Sequence, residues 1–293
     1  MKFHVRRFDR AAETYATHAG MQARMAEELL GLLERAAPNP GLGKPAKNIL
    51  EMGCGTGGLT LRLRGRFPGG NLLVSDAAPR MLEAARHALE SSRPNSPAAR
   101  KRVKAGIGGI PPGEAWALFD AEEAEEIPYL VASRAPFDLA ASNALAQWFP
   151  DLESHFRLVE SLLAPGGRYL ASAFLDGNFP ELNALLREEP FGYTRFPGHS
   201  RTHIEAAAEQ AGLRPDIFLE GKVETVHASP EAFLQLIKGL GSARKPEPGK
   251  SMTRGGLDLL ARRYRERYAC PGGVRVTWRP WYAALAKVGN RAA

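Results

Sequence analysis

The stretch ILEMGCGTGG, residues 49–58, sets four glycines (Gly53, Gly55, Gly57 and Gly58) within six residues, directly behind an apolar run that carries Glu51. A residue with no side chain lets another group come close to the backbone. A glycine-rich turn that follows a strand and opens a helix holds a nucleotide-like ligand at the carboxyl edge of a parallel sheet. There the helix N-terminus offers unpaired N–H groups.

The surrounding pattern fits such a sheet. NILEM (48–52) is the strand before the turn, and LTLRLRGRF (59–67) reads as the helix after it, stopped by Pro68, Gly69 and Gly70. NLLVSD (71–76) is a second strand ending in Asp76, and PRMLEAARHALE (79–90) is a helix with Pro79 in its first turn. FDLAASNA (137–144) is a strand, DLESHFRLVESLL (151–163) a helix with Asp151 as N-cap, and RYLASAF (168–174) a strand. Strands alternating with helices predict a parallel sheet covered on both faces. AWALFD (115–120) is the expected third strand, after a proline-, glycine- and serine-rich segment (91–114) that reads as an exposed loop. At the N-terminus, helical spacing runs as one helix from Arg10 to Glu34. Beyond Phe174 the chain reads as loop-rich through residue 200. A helix (201–212), an extended run (216–226), a helix (229–241) and an aromatic-rich strand (274–285) follow.

What the turn holds follows from its neighbours. No Gly-Lys-Ser/Thr is present, which excludes a P-loop. Glu51 would repel a pyrophosphate and suits a cationic ligand or one offering donors. Asp76 is placed to accept hydrogen bonds from both hydroxyls of a ribose. Together these favour S-adenosylmethionine over a dinucleotide.

Composition sets the wider limits. The chain has 293 residues, 44% hydrophobic and 24% charged, enough for one large domain or a domain with an insertion. No apolar run reaches the roughly 18–20 residues needed to cross a bilayer, so no membrane association is expected. The basic N-terminus lacks an apolar segment behind it, so a cytoplasmic location is expected. Two cysteines, Cys54 and Cys270, make neither a disulfide framework nor a metal cluster. His199 and His203 lack a third ligand, and no metal is expected. The net charge of +7 favours an acidic partner. Arginines cluster at 62–66, 100–104 and 262–267, with no zinc spacing, helix-turn-helix or RNA-binding strand pattern to suggest nucleic acid.

ILEMGCGTG, SDAAPRMLEAAR, FDLAASNALAQWFPDL and LLAPGGRYLASAF resemble the successive motifs of class I S-adenosylmethionine-dependent methyltransferases. The resemblance implies a Rossmann-like α/β fold, with a seven-stranded, mostly parallel sheet and helices on both faces. Its last strand pair would be antiparallel, supplied by 216–226 and 274–285. The flanking segments FDRAAETYATHAGMQ, FPEL, LIKGLGSARKP and MTRGGLDLLARRYRERY are similar to the malonyl-[acyl-carrier protein] O-methyltransferases of biotin synthesis. That similarity implies methyl transfer to the free carboxylate of malonyl-acyl-carrier protein, an acidic partner, with S-adenosylhomocysteine as product.

Carried over by position, residues 1–46 would form an N-terminal helical cap. Residues 47–293 would form the methyltransferase domain, with a helical insertion around 227–272 as lid. Gly53, Gly55 and Gly57 would face the methionyl part of the cofactor, Asp76 its ribose, Met81 and Asp120 its adenine, with Glu51 and Asn143 completing the set. Tyr15, Phe8, Gln147 and Trp148 would close over the substrate. A malonyl carboxylate is ionised at neutral pH, so no general base is required. Two alternatives stay open: another small carboxylic acid or acyl thioester as substrate, or a relative of this fold that hydroxylates a protein arginine or serves as an assembly factor. YRERYACPGGVRVTW (264–278) has some likeness to the last, and FDRAAETYATHA argues against it.

Overall fold

The computed structural model describes residues 2–35, 46–92, 113–122, 126–188, 198–240 and 253–288. The first three strands, β1 (Asn48–Met52), β2 (Asn71–Asp76) and β3 (Glu114–Leu118), are separated by α3 (Gly58–Arg66) and α4 (Pro79–Ser91). A short helix α5 (Tyr129–Ala132) precedes β4 (Phe137–Asn143). Then come α6 (Leu152–Leu162), β5 (Leu163–Phe174), α7 (Pro180–Glu188), α8 (Arg201–Gln210) and β6 (Leu213–Glu220). With β10 (Pro280–Lys287) these strands form one sheet in the order β3-β2-β1-β4-β5-β10-β6. β10 is antiparallel to both its neighbours, and the pairs among β1 to β5 are parallel. The expected seven-stranded sheet is present, with AWALFD supplying β3 and Asp151 capping α6 through the Ser154 amide at 2.9 Å.

Side chains alternate across this sheet, as pleating requires. Ile49, Leu72, Val74, Leu139, Ala141, Leu170 and Ala284 pack on one face, beneath α2 (Gly20–Arg35) and α3. Leu50, Leu73, Ala140, Tyr169, Ala171 and Leu285 pack on the other, beneath α6 and α8. Burial on both faces explains why the strands read as nearly unbroken apolar runs.

The N-terminal segment differs from the sequence reading. It forms two helices, α1 (Phe3–His18) and α2, separated at Ala19 just before Gly20. Glycine is a poor helix former, and the two halves bury different surfaces. Val5 and Ala12 of α1 pack with Ala78 and Met81 at α4, while Met25, Leu29 and Leu32 of α2 pack on the sheet. One straight helix of that length would extend about 50 Å and could not serve both. Helix α7 also lies in a stretch that reads as loop; Leu182 and Leu185 anchor it in the core.

A second departure shapes the site. The runs 216–226 and 274–285 do not both stay in the main sheet. Their inner parts are β6 and β10; their outer parts are β7 (Val223–His227) and β9 (Gly273–Trp278), which with β8 (Ala269–Cys270) make a separate three-stranded sheet. The pairing is nonetheless one antiparallel ribbon that keeps its register across the bend, with Glu220 opposite Trp281 and Val223 opposite Trp278; its one register shift lies farther in, between Ala284 and Leu285. It bends where Gly221 meets Pro280. The Gly221 N–H donates to the Pro280 carbonyl at 2.7 Å, and a Cβ on Gly221 would fall 2.9 Å from Pro280 Cγ. Proline has no N–H with which to continue a ladder, so the ribbon leaves the sheet there.

The outer sheet carries α9 (Pro230–Gly239) and α10 (Arg254–Tyr268), both capped by side chains, of Ser229 and Thr253. Aromatic contacts join it to the end of β5: Trp278 lies 5.5 Å from Phe174 and 4.6 Å from Phe179 between ring centroids. Glu181, 5% exposed, accepts from the Thr277 amide at 3.1 Å and the Thr277 hydroxyl at 2.5 Å, stapling β9 to α7. Glu181→Ala would leave two buried donors unpaired. It should cost about 2–4 kcal/mol, read as a lower urea midpoint. A change below 0.5 kcal/mol would show that this staple does not hold the ribbon.

Candidate active site

The glycine turn is built by its own backbone. The Cys54 amide donates to Ser75 O at 3.0 Å, and the Gly57 amide returns to Cys54 O at 3.0 Å. Gly53, Gly55 and Gly57 have φ of +67°, +52° and +91°, a region that favours glycine. Each glycine also serves a separate contact. A Cβ on Gly53 would fall 2.8 Å from Leu145 Cδ1, and one on Gly57 3.0 Å from Ala85 Cα in α4. Gly53 and Gly55 line a cavity; Gly57 instead lets α3 and α4 approach.

Asp76, at the end of β2, accepts from the Gly55 amide at 2.9 Å through Oδ2 and from the Ala78 amide at 2.8 Å through Oδ1. Burial nevertheless pushes its pKa up to about 6, against the pull of those two N–H groups. Its carboxylate lines the same cavity as Gly53 and Gly55 and keeps lone pairs for a further donor. Glu51 lies elsewhere. It is 1% exposed and does not line the cavity, and its oxygens form no well-aligned hydrogen bond, the Thr60 hydroxyl and amide being the donors near them. Burial raises its pKa to about 8, with Thr60 opposing the shift and the Asp76 charge adding to it.

Helix α1 covers this cavity. Phe8 meets Trp148 edge-on at 5.2 Å and Tyr15 at 6.3 Å between centroids, and His4 stacks on Trp148 at 6.1 Å. Polar straps fix the cover. Lys2 pairs with Asp120 at 3.2 Å and Glu122 at 2.9 Å, Asp9 accepts from the Arg80 amide at 2.9 Å, and Glu13 pairs with the Arg80 guanidinium. Met81 is buried beneath α1, and Asp120 follows β3 in the cavity wall.

Three cavities meet at Tyr15. The first runs from the glycine turn past Asp76 and Met81 to Asp120; the second lies between the glycine turn and α2. The third is a chamber walled by Phe8, Trp148, Gln147, Phe179, Ile237 and Trp278, from both the cap and the outer sheet. Tyr15 belongs to all three walls. Burial and the Asp76 charge raise its pKa, so its hydroxyl stays protonated. Asn143 lines the first two cavities, but its side chain is engaged: Nδ2 donates to Gln22 O at 2.8 Å and Oδ1 accepts from Ser172 at 2.7 Å. Gln147 faces the chamber, its Nε2 donating to Ala144 O at 2.7 Å and its buried Oε1 unpaired.

Several wall residues escape a reading of sequence. Gln22, Asn178, Phe179 and Trp278 enter the chamber from three separate segments, and no period or spacing assigns them to it. Ala144 and Phe179 have φ of +54° and +59°, unusual for residues with side chains, and both border the chamber. The arginine clusters are largely structural. Arg62 pairs with Glu27, Arg64 with Glu114, Arg265 with Glu231 and Arg267 with Glu188, while 100–104 lies outside the described residues. His199 bonds to Phe149 O at 2.9 Å, and its ring centroid lies 5.1 Å from that of His203.

Comparison with known proteins agrees with this geometry. A family model described as a methyltransferase domain matches residues 21–216. A malonyl-[acyl-carrier protein] O-methyltransferase of Geobacter sulfurreducens is 29% identical, over 97% of this chain and 96% of its own length. One from Hahella chejuensis is 30% identical, over 80% of this chain and 72% of its own. The biotin biosynthesis bifunctional protein of Bordetella avium is 30% identical, over 90% of this chain and 49% of its own. Among solved structures, the BH2331 protein of Bacillus halodurans superposes with a TM-score of 0.57 at 14% identity, covering 89% of this chain and 99% of that one, which bears on the fold alone. Most of α1 and the whole outer sheet lie beyond the domain match and inside the match to the Geobacter relative.

The buried Glu51 carboxyl gives a test independent of turnover. An acid whose folded pKa is raised binds extra protons in the folded state. Its contribution therefore favours folding below about pH 4.5 and is lost progressively up to about pH 8. Glu51→Gln removes that loss. The melting temperature of the ligand-free variant should exceed wild type by several degrees at pH 8 and by little at pH 5. Equal shifts at both pH values would contradict a buried carboxyl with a raised pKa.

Proposed function

Because the chain belongs to the methyltransferase-domain family and, within it, to the malonyl-[acyl-carrier protein] O-methyltransferases, we propose that it methylates the free carboxylate of malonyl-acyl-carrier protein, with S-adenosylmethionine as donor, for biotin-precursor synthesis. The observation that carries this reading is the meeting of two unlike cavities at Tyr15: one walled by the glycine turn and Asp76, the other by aromatic rings and amides.

The residues fit the donor. Gly53 and Gly55 leave a cradle that side chains would fill, and the Asp76 carboxylate has capacity for two ribose hydroxyls beyond its two backbone bonds. Met81 and Asp120 would border the adenine, and Asn143 would shape the wall through its backbone, since its amide is engaged. Glu51 and Gly57 would act from behind, Glu51 as a buried, largely protonated carboxyl under the glycine turn and Gly57 by setting the helix approach. S-adenosylmethionine, when bound, supplies a methyl group already activated on a sulfonium centre and leaves as S-adenosylhomocysteine.

What remains for the protein is alignment and dryness. The malonyl carboxylate is ionised at neutral pH, so no side chain must remove a proton. Tyr15, Phe8, Gln147 and Trp148 would hold it in line and exclude water, contributions that proximity makes large. Residues 1–46 would act as the cap, and the insertion around 227–272 as the lid on a domain of residues 47–293. The net charge of +7 suits an acidic carrier protein, and the setting would be cytoplasmic.

Intact-mass analysis of malonyl-acyl-carrier protein with enzyme and S-adenosylmethionine tests the reading, with acetyl-carrier protein as control. One added methyl on malonyl only, removed by mild ester hydrolysis, is expected. Methylation of neither carrier would sink the substrate assignment. Asp76→Asn should weaken S-adenosylmethionine binding roughly 10- to 100-fold by calorimetry, because charged acceptors are lost at the ribose. Unchanged affinity would remove Asp76 from the cofactor site.

A further inference from the structure

We propose that the side-chain amide of Gln22 recognises the substrate's free carboxylate, a role that rests on the methyl-transfer reading. Gln22 lies on α2 and is 8% exposed. It lines both the aromatic chamber and the cavity beside the glycine turn, and so stands at the border between acceptor and donor spaces. Its Oε1 is fully buried without a hydrogen-bond partner among the described residues. A buried amide left unpaired is costly, and native structures keep few without reason.

The backbone beneath it is fixed. Gln22 O accepts from Asn143 Nδ2 at 2.8 Å, and Asn143 is in turn held by Ser172, so the side chain departs from a set point on the wall. The amide carries two N–H donors, and turning it about its last torsion exchanges the places of oxygen and nitrogen. Of the other amides there, Gln147 has its Nε2 held by Ala144 O, and Asn178 has its Oδ1 held by the Arg279 amide at 2.8 Å, which leaves the Asn178 NH2 as the other amide donor of the wall. No charged side chain lines this chamber among the described residues. Recognition of a carboxylate by that wall therefore falls to neutral donors, Gln22 beside the protonated Tyr15 hydroxyl. A hydrogen bond to an ionised acceptor is stronger than one to a neutral ester. Gln22 thus selects the acid over its own methyl ester and loosens its hold once the charge is gone.

The probe is malonyl-pantetheine, with its methyl ester as neutral twin, titrated into enzyme saturated with sinefungin, which keeps a cationic centre and has no methyl to transfer. Fluorescence of Trp148 and Trp278, both in the chamber wall, reads occupancy. Gln22→Leu should weaken the acid tenfold or more and the ester less than threefold, with sinefungin affinity kept within threefold and the melting temperature no lower than wild type. Gln22→Glu, of the same size, should reverse the preference in favour of the ester. Equal losses for acid and ester, no loss, or no binding of the acid by wild type would overturn the proposal. Turnover of malonyl-acyl-carrier protein by wild type is scored separately. Its absence alongside acid-selective, Gln22-dependent binding counts against methyl transfer and not against the amide.

Discussion

The hydrogen bond from the Gly55 amide to Asp76 Oδ2 joins the exits of two neighbouring strands, and the rest of the site is organised around it. It fixes the glycine turn against the end of β2 and draws a carboxylate out of water. Burial then raises the Asp76 pKa to about 6, although two N–H groups pull the other way. A carboxylate held so, with lone pairs to spare, is matched to hydroxyl donors in a way that a solvated one is not. The left-handed backbone of the turn is what aims that amide, and only glycine adopts it at little cost.

Around this fixed centre the protein adds two covers from opposite ends of the chain. The first is α1, sealed by Phe8 and Trp148 and strapped by ion pairs to the loops after β2 and β3. The second grows out of the sheet itself, as an antiparallel ribbon that keeps its register across a bend and becomes a separate small sheet. Because β9 continues into β10, an inner strand of the main sheet, the outer sheet is anchored in the core rather than tethered by a loop. Glu181 and the Phe174–Trp278–Phe179 contacts fix the angle at which it leaves. The chamber exists only where both covers meet, and Tyr15 is the residue they share with the glycine turn.

This division also separates what is general from what is particular. The methyltransferase-domain match stops short of α1 and of the outer sheet, while the malonyl-[acyl-carrier protein] O-methyltransferase relatives extend over both. Donor chemistry is thus carried by the domain common to many methyltransferases. In the function proposed above, acceptor choice would fall to α1, the outer sheet and the turn bearing Gln147 and Trp148.

Local physics made much of this legible in the sequence. Alternating strand and helix, the glycines of residues 53–57, Asp76 at a strand end and Asp151 as a cap are each decided within a few residues, by backbone sterics and short-range hydrogen bonds. Phe8, Tyr15 and Trp148 came from the family resemblance rather than from local physics, and all three line the first cavity. Tertiary structure alone decided the rest. It turned one expected N-terminal helix into two with different faces, gave Gly57 to helix packing, buried Glu51 behind the cavity, and engaged Asn143 with Gln22 and Ser172. It also split two extended runs between sheets at Gly221 and Pro280, and brought Gln22, Phe179 and Trp278 to one chamber. Contacts between residues more than a hundred positions apart leave no local period or spacing. They are set by which faces must be buried together, and only the folded chain shows that.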